Sequence, residues 1–256
     1  MTARQNLFGV TLDALTMDQT VARCLAAVRA GERLEIGVVN AAKLVNMRRD
    51  PALARAVSGC DLVLADGQAV VWAGRLLRRP LPERVAGIDL FMRLLAEAER
   101  EGLSVYFLGA RQDVLEQMLR RVAVRFPGLR VAGSRNGYFD DGEQPAVADA
   151  IAESGADMLF LGMTSPKKEI FTAGYGERSK VALVHGVGGS FDILAGITRR
   201  APERWQRLGL EWLYRTLQEP RRLGRRYLTT NVSFALMTGR ELLRRTPSIS
   251  TASRES

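Results

Sequence analysis

One aspartate in this 256-residue chain occupies a position suited to a general base. Asp66 directly follows the apolar run Leu62–Ala65, which has the length and composition of a buried strand, and Gly67 comes next. A carboxylate at the end of such a strand can take a proton from a substrate hydroxyl, and the glycine lets the substrate approach. The alternative interpretation is that Asp66 caps the following helix. Arg84, in the segment 82–89, is a candidate for binding an anion, although a loop arginine is often only solvated.

A glycine-rich turn lies late in the chain, in the sequence Gly186-Val187-Gly188-Gly189-Ser190-Phe191. Such a turn can present backbone amides to a phosphate. It carries two glycines of a dinucleotide fingerprint, but Phe191 replaces the final small residue and the turn comes late, which argues against a nicotinamide oxidoreductase. His185 is the only histidine, so a metal site built from several histidines is excluded. No Asp-x-Asp sequence is present to hold a divalent ion on a diphosphate.

The positive charge of the chain is concentrated near its C-terminus. The formal net charge is +9, and residues 199–245 contain twelve arginines against four acidic residues. Such a block can bind nucleic acid, anionic lipid or a phosphorylated substrate, or can be a solvated helix face. Trp205, Trp212 and Tyr214 interleave with the arginines, which favours a membrane–water interface. No run approaches the roughly 18 apolar residues of a membrane span, so we expect any membrane association to be peripheral.

Short apolar runs alternate with helical patterns over the first 198 residues. The predicted strands are 36–39, 62–65, 105–108, 129–132, 158–161 and 181–184. Between them, segments such as 90–100 and 114–124 have apolar residues three and four positions apart, as in a helix. This alternation predicts an α/β fold with a doubly wound, mostly parallel, Rossmann-like sheet. Ligands of such sheets bind beyond the carboxyl ends of the strands.

The strand pattern stops near residue 198. Helices are predicted over 201–218 and 221–227, separated by Pro220, which suits the first position of a helix. We therefore predict an α/β catalytic core over 1–198, a basic, amphipathic helical appendage that binds the membrane over 199–245, and a disordered tail over 246–256. The appendage has an apolar stripe for which there are two candidate partners: lipid, or a neighbouring subunit in a homo-oligomer. Cys24 and Cys60 lack metal-ligand spacing and are expected to be reduced thiols of a cytosolic protein.

Six segments occur in a fixed order along the chain: 40–43 (Asn-Ala-Ala-Lys), 65–67 (Ala-Asp-Gly), 84–89 (Arg-Val-Ala-Gly-Ile-Asp), 137–139 (Gly-Tyr-Phe), 162–169, and 186–226. The last contains Arg-Ala-Pro-Glu-Arg-Trp and Gly-Leu-Glu-Trp-Leu. In this order they resemble the WecG/TagA/CpsF family of bacterial glycosyltransferases, over about residues 36–226. The resemblance implies an inverting enzyme that needs no metal and no cofactor. Its donor would be a UDP-sugar, and its acceptor a polyprenyl-diphosphate-linked saccharide at the cytoplasmic face of the membrane, in cell-wall or extracellular polysaccharide synthesis.

The resemblance also assigns roles to residues. Asp66 would be the catalytic base of a single displacement, and Arg84 would help to hold the substrate. Four residues match positions that line the nucleotide pocket: Asn40, Tyr138, Gly162 and Asp192. Three match arginines that face the diphosphate in place of a metal: Arg215, Arg222 and Arg225.

Two positions near the expected sugar site depart from the family pattern. Val38 replaces a common threonine, and Lys168, before Glu169, replaces a common glutamine. We hypothesise a donor other than N-acetylmannosamine, such as a hexose or an acidic sugar whose carboxylate pairs with Lys168. Lys168 and Glu169 are therefore candidate substrate-binding residues.

The main alternative function is a non-catalytic α/β module that binds nucleotide or nucleic acid through its basic segment. Substitution of Asp66 distinguishes an enzyme from a binding module. Its replacement by asparagine would abolish turnover with little loss of nucleotide binding in an enzyme, and would change nothing in a binding module. We favour the glycosyltransferase, with no nucleic-acid partner.

Overall fold

The computed structural model describes residues 4–245, without the side chains at positions 222, 223, 225, 226, 244 and 245. Within these residues the strands are β1 (Arg4–Leu7), β2 (Val10–Asp13), β3 (Leu34–Val39), β4 (Leu62–Ala65), β5 (Ser104–Gly109), β6 (Arg130–Arg135), β7 (Met158–Gly162) and β8 (Leu183–Gly186). The helices are α1 (Met17–Ala30), α2 (Ala41–Met47), α3 (Pro51–Ser58), α4 (Gln68–Leu76), α5 (Gly87–Glu101), α6 (Gln112–Arg125), α7 (Gln144–Glu153), α8 (Lys167–Tyr175), α9 (Ser190–Leu194), α10 (Glu203–Arg207), α11 (Glu211–Gln218) and α12 (Pro220–Arg245). The predicted tail 246–256 lies outside the described residues.

Six strands form one parallel sheet in the order β4-β3-β8-β7-β5-β6. Residues of β4 and β5 are buried along the whole length of each strand. A continuous apolar run is what a parallel strand covered on both faces requires, because side chains point alternately to the two faces. The predicted α/β fold with a mostly parallel, Rossmann-like sheet is thereby confirmed.

Helices cover both faces of this sheet. Helices α1, α5, α6 and α9 pack on one face around Phe91, whose ring centroid lies 4.7 Å from that of Phe160 in β7. Helices α2, α3 and α4 cover β3 and β4 on the other face, and α7 and α8 cover β5 and β7 there. Helices that follow the neighbouring strands β3 and β8 thus lie on opposite faces. Such divergence opens a crevice at the carboxyl edge of the sheet.

An N-terminal hairpin packs beside β4 and was not predicted from the sequence. Strands β1 and β2 pair antiparallel, and they bury Leu7 and Leu12 completely. The Asp13 carboxylate accepts a hydrogen bond from the Val63 backbone N–H at 2.9 Å, which ties the hairpin to the sheet. Polar residues fill much of the hairpin, so its sequence shows only a short apolar alternation.

The C-terminal helical segment, residues 203–245, consists of α10, α11 and α12. Helix α12 begins at Pro220 and continues to Arg245, so the prediction that it ends at 227 was wrong. The predicted helix 201–218 is interrupted at Gly209, whose φ of +65° ends α10. Phe234 and Met237 of α12 are buried in the cluster that includes α2. None of the helices within the described residues combines the length and apolar character needed to cross a membrane.

Candidate active site

Asp66 lies where strand β4 meets the start of α5. Its backbone N–H donates to the Val39 carbonyl at 2.9 Å, which continues the pairing of β3 with β4 by one residue. Its carboxylate accepts a hydrogen bond from the N–H of Gly87, the first residue of α5, at 2.9 Å. The carboxylate therefore does not cap α4, the next helix in the chain, whose N-cap is Gly67.

The surroundings of Asp66 make it a stronger base than an exposed aspartate. Burial raises the pKa of Asp66 above its ordinary value, and the negative charge of Glu211 raises it further. The Gly87 N–H and the positive charges of Arg84 and Lys43 oppose this effect. A carboxylate with a raised pKa accepts a proton more readily, as a general base must.

Asn40 lies on the adjacent strand end, next to the peptide that follows Asp66. It is the N-cap of α2, and its side-chain oxygen accepts a hydrogen bond from the Lys43 N–H at 3.0 Å. A Cβ atom added to Gly67 would lie 3.1 Å from the Cβ of Asn40. Glycine at 67 therefore permits the close approach of the two strand ends, which brings Asn40 and Asp66 to one place.

Two lysines and a glutamate form a buried cluster beside these strand ends. The Glu169 carboxylate lies 2.8 Å from Lys43 Nζ and 3.1 Å from Lys168 Nζ. Burial alone would raise the pKa of Glu169, but the two lysines outweigh it and lower the pKa to about 2. Burial, together with the charge of Lys43, lowers the pKa of Lys168 to about 8. The cluster has one more positive than negative charge when all three groups are ionised.

Cationic side chains lie against the glycine-rich turn that follows β8. A Cβ atom on Gly186 would lie 2.8 Å from Lys168 Cε, and one on Gly189 would lie 2.7 Å from an Arg215 guanidinium nitrogen. Glycine at each position leaves the space that the end of the cationic side chain occupies. Arg215 Nε is buried and has no hydrogen-bond partner among the described residues. The turn and its two cations are suited to a group with several negative charges.

Arg84 belongs to a network of ion pairs that joins α11 to the core. The N–H of Val85 donates to the Ala65 carbonyl at 2.9 Å, so Arg84 is held beside the end of β4. Its guanidinium donates to the Glu211 carboxylate at 2.8 Å. Arg200 forms a bidentate pair with Asp89, at 2.5 and 2.7 Å, and lies 3.5 Å from Glu211.

Gly162 and Tyr138 lie further along the same edge of the sheet. Gly162 ends β7, where a side chain would overlap the Phe191 ring. Tyr138 is 74% exposed. Its segment is fixed by Lys167 Nζ, which donates to the carbonyls of Gly137 at 3.0 Å and Phe139 at 3.1 Å.

The remaining predicted residues are not brought into these contacts. Asp192 is in α9, partly buried, and its carbonyl accepts the N–H of Ile197 at 2.9 Å. The structure gives no side-chain hydrogen bond for Asp192 within the described residues. Arg222 and Arg225 are in α12, but their side chains lie outside the described part of the structure.

Sequence reasoning missed several residues that support the site. His185 is buried, and its Nε2 lies 3.1 Å from the Gly87 carbonyl. Burial lowers the pKa of His185 to about 4, so the ring is neutral near pH 7 and donates to that carbonyl from Nε2. Gly87 thus links His185 to Asp66, because its carbonyl contacts the imidazole and its N–H donates to the carboxylate. Lys43 could have been found from its place three residues after an N-capping asparagine, whereas Glu211 and Arg200 could not, because their partners are distant in sequence.

A cavity of about 460 Å³ lies elsewhere, between α3 and α8. Its lining includes Arg33 and Gly59, which precede β3 and β4, and Arg55 and Glu177. It is therefore near the amino ends of these strands, away from Asp66.

The fold and the site define a class of α/β proteins whose candidate active site lies at the carboxyl edge of a parallel sheet, where a partly buried carboxylate lies near several cations. A family model described as "Glycosyl transferase WecG/TagA/CpsF family" matches residues 5–248. A relative from Bacillus spizizenii (strain W23) is 40% identical over 174 residues, which are 68% of this chain and 67% of the relative. That relative is named N-acetylglucosaminyldiphosphoundecaprenol N-acetyl-beta-D-mannosaminyltransferase. The chain belongs to the WecG/TagA/CpsF family and is a glycosyltransferase.

Proposed function

We propose that this protein is an inverting, metal-independent glycosyltransferase. It moves a sugar from a UDP-sugar to a polyprenyl-diphosphate-linked saccharide at the inner face of the cell membrane. The product would be a lipid-linked precursor of a cell-wall or extracellular polysaccharide. Residues 1–198 would supply most of the catalytic core, and residues 199–245 the membrane-binding part.

The observation that carries this proposal is the partly buried carboxylate of Asp66, which lies at the end of β4 and accepts the Gly87 N–H. In the reaction, an acceptor hydroxyl attacks the anomeric carbon while the bond from that carbon to the UDP oxygen breaks. The hydroxyl proton passes to the Asp66 carboxylate. The raised pKa of Asp66 favours this transfer, and the Gly87 N–H fixes one carboxylate oxygen so that the other can face the acceptor.

Cationic side chains would stabilise the negative charge that develops on the departing UDP. Lys168 and Arg215 contact the glycine-rich turn, and Arg84 lies close enough to Asp66 to affect its pKa. Preorganised donors of this kind stabilise a leaving group without a divalent ion. The family resemblance adds Arg222 and Arg225 to this set.

The named activity of the Bacillus relative supports the acceptor class, since its name contains a sugar on diphosphoundecaprenol. It also makes UDP-N-acetylmannosamine the first donor to test. Lys168 bears on the hypothesis of an acidic donor sugar, because its ammonium is already paired with Glu169. A donor carboxylate would have to compete with that pair.

Helix α12 supports the proposed membrane contact. Leu228, Val232 and Leu236 are 67%, 52% and 59% exposed, and their four-residue spacing places them along one side of the helix. An exposed apolar stripe within an arginine-rich segment is typical of helices that lie in a membrane interface. A second copy of the chain is the alternative partner for this stripe.

The test is release of UDP by the purified full-length protein with a panel of UDP-sugars, a polyprenyl-diphosphate-linked N-acetylglucosamine acceptor, and EDTA. We expect acceptor-dependent release with one preferred donor. Loss of activity in EDTA that Mg²⁺ restores would contradict metal independence. Absence of release with every donor, from folded protein, would favour the binding-module alternative.

Asp66→Asn provides the matched variant. The amide keeps the shape of the side chain and its acceptor for the Gly87 N–H, but it cannot take the proton. We expect turnover to fall by roughly 10² to 10⁴-fold, with UDP affinity little changed. A variant with wild-type turnover would exclude Asp66 as the base.

A further inference from the structure

A residue of the C-terminal helical segment contacts the arginine beside the candidate base. Glu211, the first residue of α11, accepts a hydrogen bond from Arg84 Nη1 at 2.8 Å. The side chains of Arg84 and Glu211 are 14% and 33% exposed, so the pair is partly shielded from water. Screening by solvent is weaker there than on an open surface.

The Arg84 guanidinium lies near two carboxylates, and its charge affects the pKa of a third, that of Asp66. Arg84 donates to Glu211, and its second terminal nitrogen lies 3.9 Å from the Asp89 carboxylate. Asp66 takes its hydrogen bond from the Gly87 N–H instead. An arginine turned towards Asp66 would stabilise the ionised carboxylate and make it a weaker base.

We propose that Glu211 is a positioning residue for the transfer reaction proposed above. By binding the Arg84 guanidinium directly, it keeps that cation from pairing with Asp66 and leaves the carboxylate free to accept the acceptor's proton. The site is then complete only when α11 is docked on the core. Arg200 supports the arrangement, because it bridges Glu211 and Asp89 and so fixes the start of α11 against α5.

The charges around Asp66 agree with this role. Lys43 from α2 and Arg84 from the loop before α5 lower the pKa of Asp66, and Lys168 from α8 is electrostatically coupled to it. Glu211 from α11 is the negative group that acts in the opposite direction, together with burial. Removal of its charge should therefore lower the pKa of Asp66, and release of Arg84 should lower it further.

The first experiment compares the pH profiles of turnover for the full-length wild type and for Glu211→Gln. We expect the acidic limb of the profile to move to lower pH. Above the limb, kcat should fall by roughly three- to tenfold, because a weaker base accepts the proton less readily. Below the limb, the variant should approach the wild type. An equal loss at every pH would mean that Glu211 only holds the helix in place, and would overturn the proposal.

Two further variants sharpen this comparison. Glu203→Gln removes the same charge from α10, where the side chain is 88% exposed and lies 4.0 Å from Arg207. It should leave the limb where it is. Glu211→Asp keeps the charge and should keep most of the wild-type profile. A shift of the limb in Glu203→Gln as large as in Glu211→Gln would show a general charge effect and would contradict a specific role for Glu211.

The second experiment is independent of turnover. The carboxyl ¹³C resonance of Asp66, assigned with Asp66→Asn in aspartate-labelled protein, can be titrated by NMR. We expect a lower pKa of Asp66 in Glu211→Gln than in the wild type, and an unchanged pKa would overturn the coupling. If this shift is found while the wild type transfers no sugar, the coupling stands and the proposed reaction fails.

Discussion

The environment of Lys168 lowers the pKa of its ammonium group. Its ammonium lies 3.1 Å from Glu169, and a Cβ atom on Gly188 would lie 3.9 Å from it. Burial lowers the pKa of Lys168 to about 8. The side chain is therefore mainly charged at pH 7 and mainly neutral at pH 9. We expect a cation at this turn to contact the diphosphate of the donor rather than its sugar.

This placement predicts that Lys168→Gln binds UDP about tenfold more weakly than the wild type, the effect of losing one charge-assisted hydrogen bond. UDP affinity of the wild type should also fall between pH 7 and pH 9, because Lys168 loses its proton there, whereas the variant should lack this part of the dependence. Isothermal titration with UDP measures both effects. The exposed Lys180, replaced by glutamine, is the control.

If Lys168→Gln binds UDP as tightly as the wild type, its choice of donor becomes the informative measurement. Unchanged UDP affinity, combined with a different ranking of UDP-sugars, would place the Lys168 contact on the sugar instead. That outcome would contradict the diphosphate prediction and support the departure from the family pattern as a determinant of donor choice.

At the scale of elements, the sequence predicted those parts of the fold that local patterns determine. All six strands of the sheet were expected, because most of them are short apolar runs between helical segments. Strand β6, at the edge of the sheet, is more polar and overlaps its predicted range only in part. The predicted boundaries of β4 match the structure at both ends. Asp66 could be placed at the carboxyl edge for the same reason, since a residue that directly follows a buried parallel strand must lie there.

Features that depend on distant contacts could not be predicted from local patterns. Helix α12 runs past residue 227 because Phe234 and Met237 pack on α2, and this contact has no signature within the helix itself. The Arg84–Glu211 pair joins residues 127 positions apart. The lysine-glutamate cluster likewise joins α2 to α8. These contacts account for most of what the structure adds to the site.

The exposed stripe of α12 leads to a prediction about membrane binding. Replacement of Leu228, Val232 and Leu236 together by serine should reduce binding to vesicles that contain anionic phospholipid by roughly tenfold or more, because three apolar side chains lose their burial in lipid. Cosedimentation with vesicles at fixed salt measures this effect.

The control for the stripe is Val124→Ser, on α6, where the side chain is 85% exposed. It should bind vesicles like the wild type. Substitutions are preferable to a deletion from residue 199, because a deletion would also remove Phe234 and Met237 from the packing on α2. Wild-type binding by the triple variant, with a change in oligomeric state, would assign the stripe to a second copy of the chain.

On the scale of the whole molecule, buried and partly buried ionisable side chains are gathered at one edge of the sheet. Asp66, Lys168, Glu169 and His185 all follow or end strands there, or begin the helices beyond them. The free energy of unfolding must therefore depend on pH through residues of the candidate site. Glu169, whose pKa is lowered to about 2, contributes stability above pH 4.5 that is lost as the pH falls towards 2.

Between pH 6.5 and about pH 4, His185 should contribute most to the pH dependence of the free energy of unfolding. Its pKa is about 4 in the folded protein against an ordinary value of 6.5, so its neutral form favours folding above pH 6.5 and this stability is lost as the pH falls towards 4. Between pH 7 and pH 5 the loss should be about 2 kcal/mol. Asp66 acts in the opposite direction, because its pKa is raised in the folded state.

His185→Gln separates these contributions, because the amide can still donate to the Gly87 carbonyl but does not titrate. Since His185 is the only histidine, the difference between the two proteins isolates it. Urea unfolding of both at pH 7 and pH 5 should show the wild type losing about 2 kcal/mol more than the variant. Equal losses would mean that His185 is protonated as readily in the folded as in the unfolded chain. The contact of a neutral His185 with Gly87, and through Gly87 with the Asp66 carboxylate, would then be wrong.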